Sequence, residues 1–73
     1  MERKKITEIR KYLNSHDYSI GSEEPTTMGI TLFVGYDCEY LPSTLIDEIR
    51  EIWDNGVLVG IRENWLVIVL IID

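Results

Sequence analysis

Seventy-three residues, 45% apolar and 27% charged, make one folded domain and exclude a disordered segment. A net charge of −6 opposes nucleic-acid binding by the body of the chain. The longest apolar run, residues 65–72, falls far short of the roughly 20 residues that a membrane-spanning helix needs. Cys38 is the single cysteine, so no internal disulfide is available, and a lone thiol suits a reducing, cytoplasmic setting. The charged start, Met1 to Lys5, has no apolar stretch behind it and is not expected to act as a signal peptide.

In chain order, residues 3–14 place Ile6, Ile9 and Leu13 at i, i+3 and i+7, which predicts an amphipathic helix. Arg3, Lys4, Arg10 and Lys11 lie off that stripe, and residues 14–16 are expected to end it. Residues 17–20 read as a short edge strand and residues 21–27 as a mobile turn, followed by a strand over 28–36. A polar and aromatic connector, 36–40, leads to Pro42-Ser43-Thr44, which predicts a second helix capped by Ser43 or Thr44, with Asp47 and Glu48 in its first turn. Leu45, Ile49, Ile52 and Trp53 form its apolar face, and Gly56 is expected to end it in a left-handed conformation. Strands over 57–61 and 65–72 follow, joined by a tight hairpin at Arg62-Glu63-Asn64, where Asn64 would tolerate a positive φ.

Ile6-Thr7-Glu8-Ile9-Arg10 recurs as Ile46-Asp47-Glu48-Ile49-Arg50, and residues 30–37 overlay 66–73. The expectation is a single α+β domain over residues 1–73. It consists of tandem αββ units (3–37 and 43–73) related by a pseudo-twofold, with a four-stranded antiparallel sheet carrying both helices on one face. Coincidence is the alternative, since Ile, Glu and Arg are all common in amphipathic helices.

Side chains of a strand alternate between faces, yet the last strand is apolar on both. Two helices cover one face only. The other would expose Phe33, Leu58 and half of the last strand, assigned here as Leu66, Ile68 and Leu70. Such a patch predicts an interface, a homodimer first and a heterologous partner second. The alternative is that residues 21–27 or 36–41 fold over it.

Little in the chain predicts catalysis. A reactive thiolate needs positive neighbours, whereas Cys38 stands between Asp37 and Glu39, and His16, the single histidine, has no sequence tie to it. Asp37, Cys38, Glu39 and Asp73 are too few and too loosely spaced for a Cys/His metal site, and the five glycines form no nucleotide fingerprint. No enzyme, metal or cofactor is expected.

Charge is uneven along the chain. Residues 1–14 hold five basic and two acidic groups (+3); residues 15–73 hold two basic and eleven acidic groups (−9). Arg3, Lys4, Lys5, Arg10 and Lys11 could touch phosphates weakly, or pair with the acidic second helix. Asp37, Glu39, Asp47, Glu48, Glu51 and Asp54 make an acidic stripe suited to a basic partner surface. The functional expectation is a small acidic inhibitor or regulator of a basic, nucleic-acid-binding protein, of the anti-CRISPR or anti-restriction kind carried by viruses and other mobile elements. The alternatives are a structural dimerisation subunit and a weak nucleic-acid binder using the first helix.

Overall fold

The computed structural model describes residues 2–37 and 40–72. Its elements run α1 (Glu2–Ser15), β1 (Ile20–Pro25), β2 (Gly29–Gly35), α2 (Ser43–Ile52), β3 (Val57–Arg62) and β4 (Trp65–Ile71). The strands form one antiparallel sheet in the order β1-β2-β4-β3. The α+β class, the order α-β-β-α-β-β and the antiparallel sheet match the sequence expectation.

Both hairpins close with two-residue loops, Thr27-Met28 and Glu63-Asn64. Thr26 N–H and the Gly29 carbonyl bond at 2.7 Å across the first, and Arg62 faces Trp65 across the second. The two loops stand 36 positions apart, the offset that overlays 30–37 on 66–73. The same offset carries Leu32 onto Ile68, which face each other in the central β2–β4 pair. The pseudo-dyad of the sheet therefore passes between those two residues.

Why these strands carry the helices on one side follows from parity. Leu32 and Val34 of β2, Leu66, Ile68 and Leu70 of β4, and Val57 of β3 share one face. They are buried with Ile6, Ile9 and Leu13 of α1, Leu45 and Ile49 of α2, and Trp53 just beyond it. Each fully buried aliphatic side chain contributes about 1.5–3 kcal/mol relative to an exposed one. Trp53 also donates its indole N–H to the Ile71 carbonyl at 2.9 Å, so its one polar atom is satisfied.

Several local expectations are corrected. The first strand is Ile20–Pro25 and not 17–20, so most of the expected loop is the edge strand itself. Its polar character hides it, because an edge strand has no need of two apolar faces. A register shift between Ile20 and Ser22 leaves Gly21 extra, and a Cβ there would overlap the Trp65 ring. Asp17, expected in that strand, instead adopts φ 64° and closes α1. Tyr18 N–H donates to the Leu13 carbonyl (2.9 Å) and Asp17 N–H to that of Asn14 (3.3 Å), the Schellman pattern.

α2 starts at Ser43 with Pro42 at the cap position and no side-chain cap bond, so neither Ser43 nor Thr44 caps it. Asp47 and Glu48 consequently fall in the second turn, beyond the short reach of the helix dipole. At the other end the chain leaves the helix in extended form at Trp53 (φ −104°), and Gly56 has no positive φ. Gly56 instead packs against the Ile71 side chain, where a Cβ would come within 3.0 Å. In the second hairpin the positive φ falls on Glu63 (56°), not Asn64.

Candidate functional site

Two surfaces stand out, one on each layer. The first is the outer side of α2. Asp47, Glu48 and Glu51 are all exposed there, at helical spacings of one to four residues. Among the described residues none of the three has an ion-pair partner, and like charges four apart cost the helix a few tenths of a kcal/mol. Asp54, two residues past α2, is exposed but engaged: Lys5 of α1 donates to it at 2.8 Å and holds its carboxyl below the usual range. Asp37 is exposed, two residues beyond the end of β2. Glu39 lies outside the described residues. The structure thus gathers three of the six predicted carboxylates on α2, ties a fourth to α1 and carries Asp37 on the segment after β2.

The basic groups of α1 are partly consumed inside the chain. Arg10 grips Glu23 of β1 with two donors, Nε to Oε2 at 2.6 Å and Nη2 to Oε1. Those bonds raise the Arg10 pKa and lower that of Glu23, with partial burial of each working the other way. Sequence reading missed this pair because it assigned Glu23 to a loop. As an edge strand, β1 turns Glu23 toward the helix layer opposite Leu32, where α1 can answer it.

Between the end of α1 and the start of α2 lies an open cleft of about 460 Å³ lined by Tyr12, His16, Tyr18 and residues 41–45. The Tyr12 and His16 ring centroids lie 4.2 Å apart with the planes tilted by 35°, and His16 Nδ1 lies 2.9 Å from the Tyr12 carbonyl oxygen. Burial raises the Tyr12 hydroxyl pKa, and the charge of Glu48 and then Tyr18 raise it further. Ser43 and Thr44 share this lining with His16, whose Nδ1 lies 3.1 Å from the Ser15 hydroxyl, and among the described residues no hydrogen bond joins His16 to Ser43 or Thr44. Among the described residues no three His, Cys, Asp or Glu side chains gather as metal ligands. Cys38, Glu39 and Asp73, three of the four residues weighed as ligands, lie outside the described residues.

The second surface is the sheet face away from the helices. Phe33 and Leu58 lie on it, but Leu66, Ile68 and Leu70 do not: all three are fully buried under α1 and α2. The pairing register gives the reason. Phe33 faces Val67 and Leu58 faces Val69, so the open half of β4 is Trp65, Val67, Val69 and Ile71. Trp65 is 40% exposed; it pairs with Gly35 of β2, and its ring lies on Gly21 of β1.

In the two segments weighed as a shield for the face, the described residues lie elsewhere, and Cys38 and Glu39 lie outside the described residues. Residues 21–25 form β1, and Leu41 turns to the cleft beside Tyr12. A rim of Ser22, Glu24, Arg62 and Glu63 surrounds Phe33 and Trp65 at one end.

Fold and surfaces together define a two-layer α+β domain with an acidic helix on one side and, on the other, an apolar sheet face that no element among the described residues covers. No helix among the described residues is long and apolar enough to cross a membrane. Comparison with protein-family models, curated proteins and solved structures gives no match to this chain.

Proposed function

We propose that the chain is a small acidic protein-interaction module that inhibits or regulates a partner with a basic, nucleic-acid-binding surface, and that α2 is its docking element. The observation that carries this reading is the exposed set Asp47, Glu48 and Glu51, which has no ion-pair partner among the described residues. Folding gains nothing from three mutually repelling charges on one helix, whereas a basic groove would be complemented by them. The competing nucleic-acid reading of α1 loses support because Lys5 and Arg10 are engaged with Asp54 and Glu23. On this reading the protein works in the cytoplasm, in the manner of mobile-element proteins directed against nucleic-acid machinery, and as a homodimer.

The test compares wild type with the charge-reversed variant Asp47→Lys/Glu51→Lys as baits in the source lysate. The expected result is one basic nucleic-acid-binding protein captured by wild type, released by added DNA or RNA, weakened by salt and lost with the variant. Capture that survives the charge reversal overturns α2 as the docking element. Absence of any such protein leaves a structural subunit as the better account.

A further inference from the structure

We infer that the open sheet face is the seat of a second copy of this chain, the two sheets stacking face to face about a twofold axis that crosses β3 between Leu58 and Gly60.

Three observations point to a self-partner. The first is shape. Leu58 projects from the face at 55% exposure, while a Cβ at Gly60 would meet no atom within 4 Å. Knob and notch stand two positions apart on one strand and therefore on the same face. A twofold between them exchanges the two, so each copy's Leu58 enters the other's Gly60 notch. That is the self-complementarity an isologous interface requires. The same stacking encloses Phe33, Val67 and Val69 between the sheets.

The second observation is charge. A net −6 would oppose self-association if it lay on the contact face. Asp47, Glu48 and Glu51 lie instead on the far layer. Stacked sheets sit about 10 Å apart and packed helices roughly another 10 Å out, which puts the two α2 faces on the order of 30 Å apart. That is about three Debye lengths at 0.1 M salt, so the repulsion is largely screened. At the contact itself the rim mixes Arg62 with Glu24 and Glu63.

The third is area. Four strands of about seven residues give a face of about 20 by 23 Å. Two such faces sum to about 900 Å², below the roughly 1,200 Å² of stable specific interfaces and in the range of weak, transient ones. The dimer is accordingly weak and concentration-dependent.

Sedimentation velocity over a concentration series reaching the high micromolar range tests this directly. Wild type is expected to pass from the 8.5 kDa chain mass to twice that value. Gly60→Trp fills the notch from open space, and Leu58→Glu charges the knob; each is expected to remain folded by circular dichroism and stay monomeric throughout. A wild type monomeric at every concentration overturns the proposal and leaves the face to a different protein. A Gly60→Trp chain that still dimerises overturns the axis. Asp47→Lys/Glu51→Lys is expected to dimerise as wild type does, so failure here and failure of the α2 reading are separable.

Discussion

Trp53 and Ile71 are joined by a 2.9 Å hydrogen bond from indole Nε1 to a main-chain carbonyl, which links the exit of α2 to the last residue of β4. Around it, Ile71 N–H donates to the Gly56 carbonyl and Asn55 Nδ2 to that of Ile72, each at 2.9 Å. The α2–β3 connection is thereby pinned to the end of the central strand. Trp53→Phe keeps an aromatic ring but removes the donor and part of the buried indole, and is expected to cost at least about 1–2 kcal/mol in urea unfolding, since a half-buried carbonyl loses its partner and core volume is left unfilled. Trp53→Ala should cost about 3–5 kcal/mol, a large share of the whole stability of so small a domain. Equal midpoints for wild type and Trp53→Phe would show that the bond contributes nothing.

Gly29 and Gly60 both sit in strands, but their surroundings predict opposite outcomes. A Cβ at Gly29 would overlap the Leu70 carbonyl of the neighbouring strand, so Gly29→Ala must push apart the central β2–β4 pair. The expected cost is about 1–3 kcal/mol. At Gly60 the added methyl enters open space, and the backbone needs no positive φ. Gly60→Ala should be neutral or stabilise by up to about 1 kcal/mol through the unfolded chain. Thermal melts of both variants at one dilute concentration make the comparison.

Asp17 holds the left-handed position that closes α1. Glycine adopts that conformation without a Cβ penalty, so Asp17→Gly is expected to stabilise by about 0.5–1 kcal/mol, and Asp17→Val to destabilise by more. Denaturant midpoints read the sign. A destabilising Asp17→Gly would mean that the aspartate side chain contributes more than its backbone strain costs.

Glu23 titrates below the ordinary carboxylate range because of its hydrogen bonds to Arg10. A depressed folded pKa means the pair stabilises the fold above the unfolded carboxylate value, about 4.3, and that this contribution disappears as pH falls through the lower, folded value. With both side chains partly in solvent, its size is about 1 kcal/mol or less. Carboxyl NMR titration should find the Glu23 midpoint rising in Arg10→Ala. No movement would mean the pair is not formed in solution.

The element order was legible because each segment carries its own period: 3.6 for Ile6, Ile9 and Leu13, and 2 for Ile30, Leu32 and Val34. The edge strand was not legible, since Ser22, Glu23 and Glu24 alternate nothing apolar and owe their pairing to β2 alone. Helix ends misread for a related reason. Ser43 resembles a cap and Gly56 a left-handed stop, but the first makes no cap bond and the second is a glycine for the sake of Ile71.

Of the acidic stripe, the spacing within α2 is a property of the chain, and Asp47, Glu48 and Glu51 come out together as it implies. That Asp54 answers Lys5 across 49 positions is a property of the packed helices. On the sheet, a strand apolar on both faces announces an uncovered surface, but it cannot say which half is covered. Leu66, Ile68 and Leu70 differ little in character from Val67, Val69 and Ile71. The choice falls to cross-strand register, which sets Phe33 beside Val67 and Leu58 beside Val69.

By itself, then, the sequence determined the periodicities, the hairpin spacing, the charge distribution and the surplus of apolar surface, all of them local or additive. Tertiary structure alone decided which face the helices cover, which charges are spent within the chain, and where Trp65 lies. Those depend on residues far apart in sequence meeting at a few ångströms, and no period along the chain encodes that.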